Sequence, residues 1–346
     1  MEAIVVVSDW RQKGNLRYLA GRVIWSRWCY VILKDGVEPT LVMIAPSQRF
    51  WAEREGSIRD VRFSHHPEAE VVEIVRALCP DGGRVGVAGM KDTIRVDSLE
   101  YLRANLAGVD LVEASPIVET VRMRKTADET LGLRDSMRIA EEGFDLFGRL
   151  VKPGVSHWEI VGEVERVLRG QGCYDTMILL SAGPYLREPG SAVFSEGDFV
   201  MFSIELAGPE GYWVERGGMF SLGAPSETAV RLHGLCVEAL EGAARLMTPG
   251  RPVAEIAESV GTTLRQSGFD LGIWGGHGIG LDVLEPPILL PDRDDVLQDG
   301  TAIGFHPHVV DRDSGLGGYI SDVFLVGNGG GESLSQSGHA IRVVGS

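Results

Sequence analysis

The 346-residue sequence is short of basic residues, of cysteine and of long apolar runs, and each shortage excludes a class of protein. Lys and Arg number 33 against 49 Asp and Glu, giving a net charge of -16 at pH 7. Nucleic-acid readers present basic stripes, whereas the cations here are scattered among a larger number of acids, so nucleic acid is not an expected partner. The four cysteines, Cys29, Cys79, Cys173 and Cys236, form no C-x-x-C pair and no spacing of a disulfide framework or zinc knuckle. They read as buried thiols of a reducing compartment. The N-terminus, MEAIVVVSDWR, has neither the basic start nor the apolar length of a signal peptide, so a cytoplasmic location is expected. No stretch reaches the roughly 18 apolar residues of a membrane span, and no membrane partner is expected.

What is present reads as two domains, because one ordinary core does not grow to this length. The first half alternates short β-branched runs (Ala3 to Val7, Tyr30 to Leu33, Thr40 to Ile44) with helical patterns such as Glu68 to Leu78. This is a small α/β domain, assigned to residues 1–120. The charged segment SPIVETVRMRKTAD, from Ser115 to Asp128, is read as the boundary. Residues 121–346 open with a long amphipathic pattern from Glu129 to Leu150, stopped by Lys152-Pro153-Gly154. Ser156 and Glu159 then have the spacing of a capping box that starts a second helix. Strand patterns dominate the remainder, apart from helices over about Glu227 to Leu246 and Val253 to Ser267. The second domain is therefore expected to be α+β, with helices on a curved, mostly antiparallel sheet.

Chemistry concentrates in FSIELAGPEGYWVERGGMF, from Phe202 to Phe220, where Glu205 and Glu215 are symmetric about Glu210 in a Gly-Pro-Glu-Gly turn. Paired as a hairpin, the two carboxylates become cross-strand neighbours about 5 Å apart. Like charges that close need a proton, a metal ion or a cationic substrate between them. Two stretches add imidazoles: WGGHGIGLDVLEPP carries His277, and AIGFHPHVV carries His306 and His308. Pro307 breaks the strand pattern, so His308 is expected in a loop.

In order along the chain, DWRQKGNLRYLAG, VRMRKTADE, LVKPGVSHWEI, EGDFVMFSIELAG, GHGIGLDVLEPP and GYISDVFLVGNGGGESLS resemble the creatinase, aminopeptidase P and prolidase family, the pita-bread proteins. The resemblance covers nearly the whole chain and implies an N-terminal α/β domain followed by a pita-bread catalytic domain. The family's peptidases hold a pair of metal ions with two Asp, one His and two Glu, and these positions fall here on Glu205, Glu215, His277, His306 and Ser321. Only the histidine is unchanged. Two dications need bridging carboxylates, which imidazole and a serine hydroxyl do not replace. The resemblance then implies a creatinase-like, metal-independent hydrolase with no cofactor, cutting a C–N bond of a small amide or amidino substrate. His277 or His306 would move protons, and Glu205 and Glu215 would orient the imidazole or act as acid. Arg187 is read as a clamp for a substrate carboxylate and Tyr212 as a second substrate-binding residue. In creatinase-like homodimers the N-terminal domain reaches over the partner's pocket, which makes Trp10 a further candidate. Two alternatives stay open: a Xaa-Pro-type dipeptidase or lyase with a single ion on Glu205, Glu215, His277 and His306, and a pseudoenzyme that only binds.

Overall fold

The computed structural model describes residues 1–21, 27–273 and 275–344, and it divides into two units, Met1–Arg122 and Met123–Ser346. Trp25 and Trp274 lie outside the described residues. The first unit runs β1 (Ala3–Asp9), α1 (Gly14–Ala20), β2 (Trp28–Lys34), β3 (Val37–Met43), α2 (Pro46–Glu55) and β4 (Asp60–Phe63). It continues with α3 (Pro67–Leu78), β5 (Gly83–Ala88), α4 (Val96–Asn105), β6 (Val109–Glu113) and α5 (Ser115–Met123), which ends at the boundary. Its mixed sheet has the order β4-β3-β2-β1-β5-β6.

The period-2 alternation of these strands places apolar side chains on both faces. Val5, Val7, Tyr30 and Ile32 pack beneath α3 and α4 through Val71, Val75 and Leu102. Val6, Val31, Leu41 and Met43 pack on the other face against Leu16, Ala20 and Ala52 of α1 and α2. The charged segment read as the boundary contains the division at Arg122/Met123 and is largely helical, as α5. Pro116 sits in the first turn, where its missing N–H has no intrahelical partner to lose.

The second unit runs α6 (Ala127–Leu150), α7 (His157–Gly170), β7 (Asp175–Ser181), β8 (Phe199–Ala207), β9 (Trp213–Leu222), α8 (Glu227–Leu246) and α9 (Val253–Gln266). The strands β10 (Asp270–Leu271), β11 (Gly276–Gly278), β12 (Glu285–Ile288), β13 (Ala302–Phe305) and β14 (His308–Asp311) follow. It ends with β15 (Leu316–Tyr319), β16 (Asp322–Gly327), β17 (Gly330–Ser333) and β18 (Arg342–Val344). Reciprocal capping boxes start both α6, at Thr126 and Glu129, and α7, at Ser156 and Glu159. No helix of the described residues is long and apolar enough to cross a membrane.

Two adjoining sheets carry the site, β18-β9-β8-β7 and β12-β11-β13-β16-β17, with β10-β14-β15 beside them. All pairings in this unit are antiparallel except β18 with β9. An isolated bridge joins Gly217 on β9 to Ser321, between β15 and β16, and so stitches the first two sheets together. Behind β8 and β9 lies an aromatic core, in which Phe147 of α6 stacks on Phe202 with ring centroids 3.7 Å apart. A second core, built from Leu232, Leu240, Ile256, Ile303 and Phe305 among others, packs α8 and α9 against the other strands. Both cores lie on the helix side, so the polar residues of the central strands are left to converge on the opposite side.

Candidate active site

The turn at 208–212 closes the β8–β9 hairpin with Glu205 directly opposite Glu215. The odd spacing about Glu210 predicts this register, and alternation then sends both carboxyls to one face. Glu210 itself is exposed in the turn. Glu215 is 1 % exposed and, among the described residues, its Oε1 has no hydrogen-bond partner. Burial, reinforced by Glu205 and Asp322, pushes its carboxyl well above the usual range. Burial also raises Glu205, to about 7.

His277 lies on β11, paired with Gly304 of β13, and His306 follows β13 directly. The backbone N–H of His306 donates to Gly275 O at 2.8 Å, which fixes the strand end carrying the imidazole. The two rings lie 5.3 Å apart, tilted by 53°. A Cβ at Gly304 would stand 2.8 Å from Glu215 Oε1, so any larger residue there would push that carboxylate aside. The glycine thus makes room for the glutamate to reach from one sheet to the histidines of the other. Glu215, His277 and His306 each present a ligand atom within 4.8 Å of the others, and all three are buried. Glu205 stands across the hairpin, outside this trio.

The donor chemistry of the trio suits one cation. His277 Nδ1 donates to Gly278 O at 2.9 Å, so Nε2 carries the lone pair. Burial holds this imidazole below its ordinary pKa and favours the neutral, ligating form. One carboxylate and two imidazoles with open positions match mononuclear zinc or iron centres. A two-ion centre does not fit, because the trio offers a single carboxylate to bridge and neutralise two dications. The family match does not support the expectation of a metal-independent centre. The carboxylate count that argued against a pair of ions does not argue against one, and the hairpin delivers a buried carboxylate oxygen to two buried imidazoles.

Several neighbours were not singled out by the sequence. Tyr319, fully buried, shares a 3.2 Å hydrogen bond with Ser203, and its phenol is held deprotonation-resistant by burial and by the fields of Glu215 and Glu205. Asp322 accepts hydrogen bonds from Ser333 and Ser335. Burial alone would raise its carboxyl, but hydrogen bonds and charge, His339 foremost, outweigh burial and lower it. Arg216 donates to His339 Nδ1 at 3.2 Å, leaving His339 Nε2 to face Asp322 at 3.3 Å. Lys125 and Glu285 form a buried ion pair at 3.0 Å. The stretch GYISDVF contains Tyr319 and Asp322, yet nothing in its pattern shows which side chains turn inward.

His308 corrects a loop expectation: it lies on β14, 1 % exposed, opposite Tyr319, and donates from Nε2 to Pro184 O at 2.9 Å. Pro307 sits between β13 and β14, so the proline separates two strands and leaves both intact. Tyr212 packs toward α6, close enough that a Cβ on Gly132 would lie 2.4 Å from its ring, which makes it a core residue as much as a surface one. Arg187 is exposed on the wall of a cleft beside β7. Trp10 is an exposed residue of the first unit.

Known proteins share this architecture. The X-Pro aminopeptidase of Thermotoga maritima MSB8 superposes with a TM-score of 0.87 at 19% identity, covering 99% of this chain and 96% of its own. The Xaa-Pro dipeptidase of Bacillus anthracis gives 0.86 at 21% identity, covering 99% and 95%. At these identities the likeness is one of fold. In sequence, the uncharacterized hydrolase/peptidase y4tL of Sinorhizobium fredii (strain NBRC 101917 / NGR234) is 27% identical over 274 residues, 75% of this chain and 68% of that protein. Residues 2–124 match the Creatinase/Prolidase N-terminal domain, and residues 132–328, more than half the chain, match Metallopeptidase family M24. With the pita-bread architecture and the site in its central strands, the chain belongs to metallopeptidase family M24 and is a hydrolase acting on C–N peptide bonds.

Proposed function

We propose that this chain is a single-metal amide hydrolase of the Xaa-Pro peptidase type, with one divalent cation held by Glu215, His277 and His306. The convergence of these three ligand atoms within 4.8 Å carries the reading. A bound cation supplies Lewis acidity, polarising the amide carbonyl and acidifying water. The protein's own groups do the rest. In this reading Glu205, opposite Glu215 on the neighbouring strand, takes the proton of the attacking water and returns it to the leaving nitrogen. Tyr319 and Ser203 offer neutral hydroxyls beside the carboxylate pair, so this side of the pocket orients substrate without adding charge. The Gly278 carbonyl keeps His277 in one tautomer throughout. The family match and the fold of the Xaa-Pro peptidases support the same reaction class.

Elemental analysis of the purified protein tests this directly. About one zinc, iron or manganese per chain is expected, lost together with dipeptide hydrolysis in Glu215→Gln and His277→Ala. Glu205→Gln should keep the metal and lose about a hundredfold or more in kcat. A metal-free protein that hydrolyses dipeptides at full rate in the presence of chelator would refute the proposal.

A further inference from the structure

The three proposed ligands are divided between two sheets: Glu215 stands on β9, whereas His277 is on β11 and His306 just after β13. At this level the sheets meet through an isolated bridge, in which Gly217 N–H donates to Ser321 O at 3.1 Å and Ser321 N–H to Gly217 O at 3.2 Å. A metal affinity built from donors on two sheets depends on how firmly those sheets are held together. The residues beside the ligands bear on this. Arg216 follows Glu215 and turns to the other face of β9, 1 % exposed, with its guanidinium 4.5 Å over the ring of Phe144. Asp322, fully buried on β16, is the register partner of Phe305, which precedes His306.

A buried cation and a buried anion each need partners. Arg216 donates to Gly217 O at 2.8 Å and, in the C-terminal segment, to Gly338 O at 3.0 Å, Ser337 Oγ at 3.2 Å and His339 Nδ1 at 3.2 Å. A guanidinium can only donate, so Nδ1 is the acceptor and the ring proton stands on Nε2, which faces Asp322 Oδ2 at 3.3 Å. One imidazole thus reaches the neighbour of Glu215 in one sheet and the partner of Phe305 in the other. The segment that carries it is anchored on two helices. The N–H groups of Gln336 and Ser337 donate to Glu141 of α6 at 2.8 and 2.7 Å, and His233 of α8 donates to the carbonyl of His339.

We propose that His339 is a positioning residue of the metal centre, a latch by which the C-terminal segment fastens the sheet carrying Glu215 to the sheet carrying His277 and His306. This rests on the trio being the metal site, but the latch itself is measurable in metal-free protein. A cavity of about 310 Å³ borders the ring between α8 and the segment 333–339, so a side chain of another shape is accommodated there without overpacking.

Amide hydrogen exchange of the full-length, metal-free protein, followed by titration with Zn²⁺, provides the test. His339→Leu should speed exchange at the Gly217 and Ser321 amides about tenfold and leave the amides that pair β13 with β16 unchanged, because a general loss of stability would speed both sets alike. Its affinity for Zn²⁺ should fall about tenfold or more, and the visible absorption of the cobalt-loaded protein should shift with the ligand geometry. His339→Gln, whose amide supplies one acceptor and one donor, should recover a large part of both losses. His339→Ala makes the same deletion if the leucine variant does not fold. Unchanged exchange at the junction, or faster exchange there with undiminished Zn²⁺ affinity, overturns the proposal. A wild-type protein that binds no Zn²⁺ would refute the trio and with it any role at a metal centre, while the exchange rates would still show whether the latch exists, so the two failures are told apart.

Discussion

At the scale of single residues, the site depends on one absent side chain as much as on those present. Gly304 lies on β13, between β11, which carries His277, and β16, and a Cβ there would stand 2.8 Å from Oε1 of Glu215, which reaches in from β9 of the other sheet. Gly304→Ala should leave the fold intact, since β13 pairs through its backbone, yet displace the carboxylate. The expected outcome is a metal affinity reduced roughly 10- to 100-fold, the range seen when a ligand's support is removed. Metal titration against unchanged circular dichroism would show it, and an unaltered dissociation constant would mean that Glu215 is not a ligand. The sequence marks Gly304 only as one of 45 glycines; its role appears when β9 is brought against β13. His277, by contrast, stands out in the sequence because the GHGIG segment is so distinctive.

Elements are held in register by a few polar pins. Lys125 immediately precedes the capping box of α6, and its ammonium reaches Glu285 at the head of β12, with side chains only 2% and 6% exposed. Glu285 also accepts from the backbone N–H of Asp282, shaping the turn that follows His277 and Gly278. Removing one partner of such a buried pair leaves the other charge uncompensated, so Lys125→Met should cost about 3–5 kcal/mol by chemical denaturation. The double change Lys125→Met with Glu285→Leu should recover a large part of that loss; if the single change costs less than about 1 kcal/mol, the pair is not buried as described. These pins were partly legible. The capping box at Ser156 and Glu159 follows from local spacing, whereas Lys125 and Glu285 are 160 residues apart and only the tertiary fold introduces them.

On the scale of the whole molecule, the two units have separate apolar cores, one pair around the first sheet and another set under α6, α8 and α9. The proposed ligands all belong to the second unit. A ligand that binds only the native state stabilises the unit that holds it. Scanning calorimetry with and without the divalent ion should therefore raise the transition of the second unit by several degrees and leave that of the first unmoved. A shift confined to the first transition would place the metal elsewhere.

Sequence alone determined the two-domain plan, the helix that begins at the Ser156 capping box, the hairpin and the opposition of Glu205 and Glu215. Each follows from spacing within a short window, where backbone geometry leaves few choices. It also identified His277 and His306, but not what they share. Counting carboxylates by position argues against a pair of ions, but a count cannot register how close the remaining donors come. Only the tertiary structure decided that Glu215 reaches two imidazoles from a neighbouring sheet through the gap at Gly304, that His308 lies in a strand, and that Arg187 faces a cleft. Those facts depend on contacts between residues far apart in the chain, which pairing and packing settle and local propensity does not encode.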